Sequence, residues 1–326
     1  MSKSRVVVIA LLVLGAALWI LTPAKLQPAS ASVVLPDDLD QWLRQSEQQA
    51  SDRYGLVPDT DKRIRWFSKG EQTPFSVVYL HGFSATRQET APLANVVANM
   101  LGANLFETRL RGHGRERDLL GEVRAEDWLK DAVEALAIGA KLGERVIVIG
   151  TSTGATLAAA MLGHPAMNVV DTIVMLSPNF APRDPAAAWL TRPAGPLLAR
   201  ILVGETRSWE PYNEQQGLYW STTYPIGAAV EMMRLVDLAN RNLPADVAQR
   251  LLMFYSTDDS VISPHAALEV LEKSGAPQKT VVRIEDPGDP SHHVLAGDVL
   301  SPEKTQRIAN EIAAFILHPS PSGVLE

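Results

Sequence analysis

The chain has 326 residues, of which 46% are hydrophobic and 21% charged, ordinary values for a globular protein and unlike collagen, coiled coil or disorder. Thirty Lys and Arg against 37 Asp and Glu leave a net charge of −7, which gives no electrostatic drive towards nucleic acid. Cysteine is absent, so disulfides, thiolate metal sites and cysteine nucleophiles are excluded.

Lys3 and Arg5 precede an uncharged run from Val6 to Ala24. A basic flank before an apolar core is an export signal or a membrane anchor. A spanning helix needs about 20 apolar residues, and this run is at the short end of that range. The expectation is a single N-terminal membrane anchor over residues 1–24, with the remaining chain outside the cytoplasm because the positive flank stays inside. The alternative is a secreted or periplasmic protein after cleavage near Ala29-Ser30-Ala31. Residues 25–60 read as a Pro-, Ala- and Ser-rich linker, Gln27 to Pro36, followed by an amphipathic helix from Asp37 to Tyr54.

From there strand-like runs alternate with helical ones. Strands are expected at Phe75–Leu80, Asn104–Thr108, Arg145–Ile149, Thr172–Leu176, Leu251–Tyr255 and Thr280–Ile284. Helices are expected at Pro92–Leu101, Ala125–Leu142, Ala155–Leu162, Pro264–Lys273 and Pro302–Leu317. This alternation predicts an α/β class protein, with a mostly parallel sheet covered by helices on both faces. The core divides into residues 61–178 and 251–318. Between them, 179–250 breaks the rhythm and carries Trp189, Trp209, Tyr212, Tyr219, Trp220 and Tyr224, so it reads as a helical cap with an aromatic binding surface.

The strand Arg145–Ile149 runs into Gly150-Thr151-Ser152-Thr153-Gly154, and a helix follows. This is G-x-S-x-G in strand–turn–helix context, where a sharp turn lifts the serine hydroxyl clear of the sheet. A serine needs a base, and the base needs an orienting group. The base is expected in the late loop Ser291-His292-His293-Val294, and His293 is chosen. The adjacent histidines could be read as a metal site, but no third ligand stands at suitable spacing. The orienting carboxylate should follow the strand after the cap, where Asp258 and Asp259 are both available.

The order Ser, Asp, His resembles that of the α/β-hydrolases. Asp259-Ser260-Val261-Ile262 matches that fold's D-x-V-[IV] pattern, which selects Asp259, and His293-Val294-Leu295 resembles its H-x-L ending. Arg109-Leu110-Arg111-Gly112-His113-Gly114 resembles the RGHG loop of the lysophospholipase and monoacylglycerol-lipase-like branch, and implies a structural role for His113. The resemblance implies an α/β-hydrolase fold with a helical cap insertion and a catalytic triad of Ser152, Asp259 and His293. It implies an oxyanion hole from the N–H groups of Phe83, after His81-Gly82, and of Thr153. Phe83, Trp189, Trp209 and Trp220 are the expected substrate-binding residues. The implied activity is a cofactor-free, metal-free serine hydrolase of small or lipid-like carboxylic esters. A peptidase or amidase of the same fold, an acyltransferase and a non-catalytic binding protein are the alternatives.

Overall fold

The structure is a computed structural model that describes residues 22–30, 32–115, 119–242 and 247–318. In chain order its α-helices are α1 (Leu39–Tyr54), α2 (Leu93–Leu101), α3 (Ala125–Leu142), α4 (Thr153–Ala160), α5 (Gly195–Val203), α6 (Glu214–Tyr219), α7 (Ile226–Asn242), α8 (Pro264–Lys273) and α9 (Pro302–Leu317). The strands are β1 (Arg63–Arg65), β2 (Thr73–Leu80), β3 (Asn104–Glu107), β4 (Gly143–Thr151), β5 (Val170–Leu176), β6 (Thr206–Ser208), β7 (Thr223–Pro225), β8 (Arg250–Tyr255) and β9 (Lys279–Arg283).

Seven strands form one sheet in the order β1-β3-β2-β4-β5-β8-β9. Only β1 is antiparallel to its neighbour. The expected parallel strands are all present, within a few residues at each end. The short edge strand β1 and the two-stranded ribbon β6–β7 were not anticipated.

Strand alternation divides the apolar residues between two faces. Val78, Leu80, Val146, Val148, Ile173 and Met175 join one core cluster beneath α3, α4 and α7. Val77, Tyr79, Ile147, Ile149, Val174 and Leu176 join another beneath α2 and α9. Strands buried on both faces read as near-continuous apolar runs, which is why they were visible in the sequence.

The long connection from β5 to β8 does two jobs. Its last helix, α7, places Leu235, Leu238 and Ala239 in the larger core cluster, packed against α4. It is therefore the crossover helix that returns the chain to the start of β8. The part before it, including α5, α6 and the β6–β7 ribbon, lies outside the sheet, and α5 leaves Leu197, Leu198, Ile201, Leu202 and Val203 exposed.

The residues just before the expected linker are docked, and within it Ala29, Val33 and Leu35 pack partly buried against the larger core cluster. Leu26 is buried, Arg234 donates to the Ala24 carbonyl at 2.8 Å, and Arg241 donates to the Leu26 carbonyl at 2.9 Å. Asp38 caps α1 by accepting the Gln41 N–H at 2.8 Å. No helix among the described residues is long and apolar enough to cross a membrane, and the expected anchor falls almost wholly outside those residues.

Candidate active site

The turn after β4 is the tightest feature of the sheet's carboxyl edge. Ser152 adopts φ 51 and ψ −115, a left-handed conformation costly for a residue with a side chain. Its N–H donates to the Leu176 carbonyl at 2.8 Å, which holds the turn against the end of β5. A Cβ on Gly154 would stand 2.0 Å from the Leu80 carbonyl oxygen and 2.8 Å from that of His81. Glycine at 154 is therefore what lets α4 begin against the end of β2. That approach brings the His81-Gly82-Phe83 loop beside Ser152. The first N–H groups of α4, Thr153 among them, have no partner within the helix and lie at its positive end.

The structure brings Asp259 and His293 together. His293 Nδ1–H donates to Asp259 Oδ2 at 2.7 Å, leaving Nε2 as the free basic nitrogen. The other Asp259 oxygen accepts the N–H groups of Val261 and Ile262 at 2.8 and 2.9 Å. Asp258 is exposed, as expected for a solvated loop carboxylate. Asp259, Ser152 and His293 are 1%, 6% and 7% exposed. Burial alone would lower the His293 pKa, but the Asp259 carboxylate, with the more distant charges of Glu89 and Asp289, raises it above the ordinary 6.5. His292 takes φ 55 and is not the residue bonded to Asp259.

Two residues that the sequence did not single out hold the histidine in place. Asp289 Oδ2 accepts the N–H groups of His293 and Val294 at 3.0 and 2.8 Å, and the Ser291 hydroxyl at 2.5 Å. Ser177, directly after β5, donates its hydroxyl to the His293 carbonyl at 2.7 Å. Asp289-Pro290-Ser291 is a turn signal that could have flagged the first. Nothing local flags the second.

The loop after β2 is fixed on both sides of Phe83. Gly82 N–H donates to Glu89 Oε2 at 2.7 Å, and Ser84 N–H donates to His113 Nε2 at 3.1 Å. His113 Nδ1–H in turn donates to the Arg111 carbonyl at 3.0 Å. His81 spends both ring nitrogens on the backbone, donating to the Gly82 carbonyl and accepting Leu110 N–H. Burial, with the neighbouring His113, keeps His81 well below the usual histidine pKa, and burial holds His113 at about 4. Both imidazoles are neutral and spend their ring nitrogens on the backbone of these loops. Arg109 of the same loop reaches α1, pairing with Glu47 through Nε and Nη2 at 2.9 and 2.7 Å.

The aromatic residues separate. Trp220 is 8% exposed and packs with Ala85, Val294 and Leu300, between the loop after β2 and the histidine loop. Trp209 packs beside it, partly buried. Ser221 N–H donates to the Ser84 carbonyl at 2.7 Å, tying this part of the cap to the same loop. Trp189 is 66% exposed. The Phe83 ring meets Tyr224, Trp128 and His113 edge-on, with centroids 5.0, 6.1 and 6.2 Å away. No group of three His, Cys, Asp or Glu among the described residues is placed to hold a metal ion.

The family described as serine aminopeptidase, S33, matches residues 72–287. A thermostable monoacylglycerol lipase of Bacillus sp. (strain H-257) is 26% identical over 238 residues, 73% of this chain and 90% of that protein. Among solved structures, a metagenome-derived lipolytic enzyme superposes with TM-score 0.66 at 19% identity, covering 80% of this chain and 99% of its own. The monoacylglycerol lipase of Paleococcus ferrophilus superposes with TM-score 0.59 at 15% identity, covering 79% and 98%. The mostly parallel sheet, its helical layers and these likenesses show the α/β-hydrolase fold.

Proposed function

The chain belongs to the serine aminopeptidase S33 family, and from that premise we propose that it is a serine hydrolase of carboxylic esters, acting through an acyl-enzyme on Ser152. The observation that carries the reading is the 2.7 Å contact between His293 Nδ1 and Asp259 Oδ2, in a chain whose G-x-S-x-G serine, Ser152, stands at positive φ in the turn from β4 into α4.

Ser152 Oγ attacks the acyl carbon as His293 Nε2 takes its proton. The negative charge passes to the carbonyl oxygen, and His293 returns the proton to the departing alcohol. Water, activated by the same nitrogen, then cleaves the acyl-enzyme. Asp259 holds the imidazole with Nδ1 protonated and stabilises the imidazolium. Phe83 N–H and Thr153 N–H receive the oxyanion. Support for Phe83 comes from its neighbours, since Gly82 N–H and Ser84 N–H are both engaged elsewhere.

The substrate we propose is a monoacylglycerol-like ester. The likeness to lipases supports it, as do Trp209 and Tyr219, half-buried apolar side chains packed on the buried Trp220 cluster. An amide substrate with a free amine would want an available buried carboxylate in the cap; Glu205, Glu210 and Glu214 are exposed, and buried Glu231 is taken up by Arg234, Arg124 and the Ala125 N–H. We also propose that residues 1–24 tether the enzyme to a membrane, with the catalytic domain outside the cytoplasm. Lys3 and Arg5 before the apolar run support that orientation.

A fluorophosphonate probe read by intact mass tests the chemistry. A single adduct is expected on the wild type and on His292→Ala, and none on Ser152→Ala or His293→Ala. Equal labelling of Ser152→Ala and wild type would overturn the assignment.

A further inference from the structure

Glu89 ends a one-turn 3-10 helix, Arg87–Glu89, between β2 and α2, and is almost fully buried. The triad does not use it. Its Oε2 accepts Gly82 N–H at 2.7 Å and the Tyr79 hydroxyl at 3.3 Å. The Tyr79 hydroxyl is in turn 3.2 Å from Thr151 Oγ1. A Cβ on Gly82 would stand 2.6 Å from Glu89 Oε1, so the backbone meets the carboxylate directly. Thr151 is the residue before Ser152, and Gly82 is the residue before Phe83. The sequence Thr151, Tyr79, Glu89, Gly82 is thus a buried hydrogen-bonded tie between the peptide entering the nucleophile and the peptide entering the oxyanion donor.

Resting on the hydrolase reading above, we propose that Glu89 is a positioning residue for the oxyanion hole: its carboxylate fixes the Gly82–Phe83 peptide so that Phe83 N–H faces the developing charge on a substrate held at Ser152. An oxyanion donor works only if it is aimed before the charge appears. A flexible loop would leave that N–H to water, and the tie removes the freedom. The carboxylate also bears on the base. Tyr79 reaches it from β2, Thr90 follows it in the chain, and from the histidine loop it faces His293 and Asp289. Burial raises its pKa to about 7, opposed by the Gly82 N–H and by His293. Its negative charge is one of those that raise His293.

The test compares wild type, Glu89→Ala, Glu89→Gln and Glu89→Asp in the full chain, using p-nitrophenyl butyrate over a range of pH. Glu89→Ala should lower kcat about 30-fold with KM within about twofold, the signature of an interaction made in the transition state. Glu89→Gln keeps an acceptor oxygen for Gly82, and should recover to within about fivefold of wild type. Its acid limb should move to lower pH, because a charge that raises His293 is gone. Wild-type kcat in Glu89→Ala would overturn the proposal. So would equal losses in the Ala and Gln variants with an unmoved acid limb, which is what mere packing predicts. If Glu89→Ala does not fold, Glu89→Asp decides: it keeps the charge but draws it back from the Gly82 N–H, and an unchanged kcat overturns the proposal. A wild type that neither labels with fluorophosphonate nor turns over ester refutes the hydrolase reading itself. A labelled, active wild type with indifferent Glu89 variants refutes only the positioning role.

Discussion

Ser177 donates its hydroxyl to the carbonyl of His293, 116 residues further on, at 2.7 Å. The residue before it, Leu176, accepts the N–H of Ser152. One step of backbone at the end of β5 therefore holds the proposed nucleophile on one side and the proposed base on the other. Ser177 takes φ 43 to do so, the kind of conformation that a structure keeps where its surroundings over-determine it.

Ser177→Ala removes that link and leaves a buried carbonyl unpaired, at about 1–3 kcal/mol. We expect kcat for an ester to fall about tenfold with KM little changed, because the histidine drifts relative to the serine while the binding surface stays intact. Steady-state kinetics beside a urea melt separates this from simple destabilisation.

The pH profile follows from the base. His293 must be neutral to accept a proton, and its surroundings raise its pKa above 6.5. Activity should therefore fall as pH drops through a value above 6.5, rather than near 6.5 as for a free histidine. Asp259→Asn removes the largest favourable influence on the imidazolium and the group that sets its tautomer. It should cost about 10³- to 10⁴-fold in kcat and move the acid limb downwards. A limb that stays in place in Asp259→Asn would contradict the pairing.

Gly154 is expected to tolerate nothing larger. Its added methyl would meet the Leu80 carbonyl oxygen at 2.0 Å, and that oxygen belongs to strand backbone that cannot swing aside. Gly154→Ala should lose more than about 3 kcal/mol, read by urea unfolding, or fail to fold. Gly227→Ala is the matching control, since nothing lies within 4 Å of its added methyl.

The tryptophans should divide in the same experiment. Trp220 is buried between two catalytic loops, so Trp220→Ala should cost about 3–5 kcal/mol and disturb both KM and kcat. Trp189 stands largely in solvent, so Trp189→Ala should stay within about 0.5 kcal/mol of wild type. Any loss of activity there on lipid substrate, but not on a small soluble ester, would mark that side chain as part of the lipid-facing surface.

Much of this site was legible in the chain. Gly150-Thr151-Ser152-Thr153-Gly154 announces its turn because tight backbone demands glycine, and Asp259 and His293 sit in loops that follow recognisable apolar strands. What escaped were residues whose role depends on something far away in sequence. Glu89 reads as one more polar loop residue until Gly82 is seen against it, and Ser177 until His293 is. Strand β1 is three residues long, too short for alternation to show. The aromatic content of 179–250 suggested one uniform surface, but burial sorts Trp220 inward and Trp189 outward.

The placement of the cap has a further consequence. Strands β5 and β8 pair directly, Leu176 opposite Phe254, although a long excursion separates them in the chain. The outgoing end of that excursion is pinned to the loop bearing Asp259, where Arg183 N–H donates to the Val261 carbonyl and Ser263 N–H to that of Ala181. The returning end is α7, which the core cannot lose. Between these two fixed ends, residues 184–225 are held to the frame again at Ser221 and Trp220, so a cap of another length must still end in a segment that docks on the loop after β2 and on the histidine loop. A new cap is therefore a change of contacts at both loops, not the exchange of one isolated piece of chain.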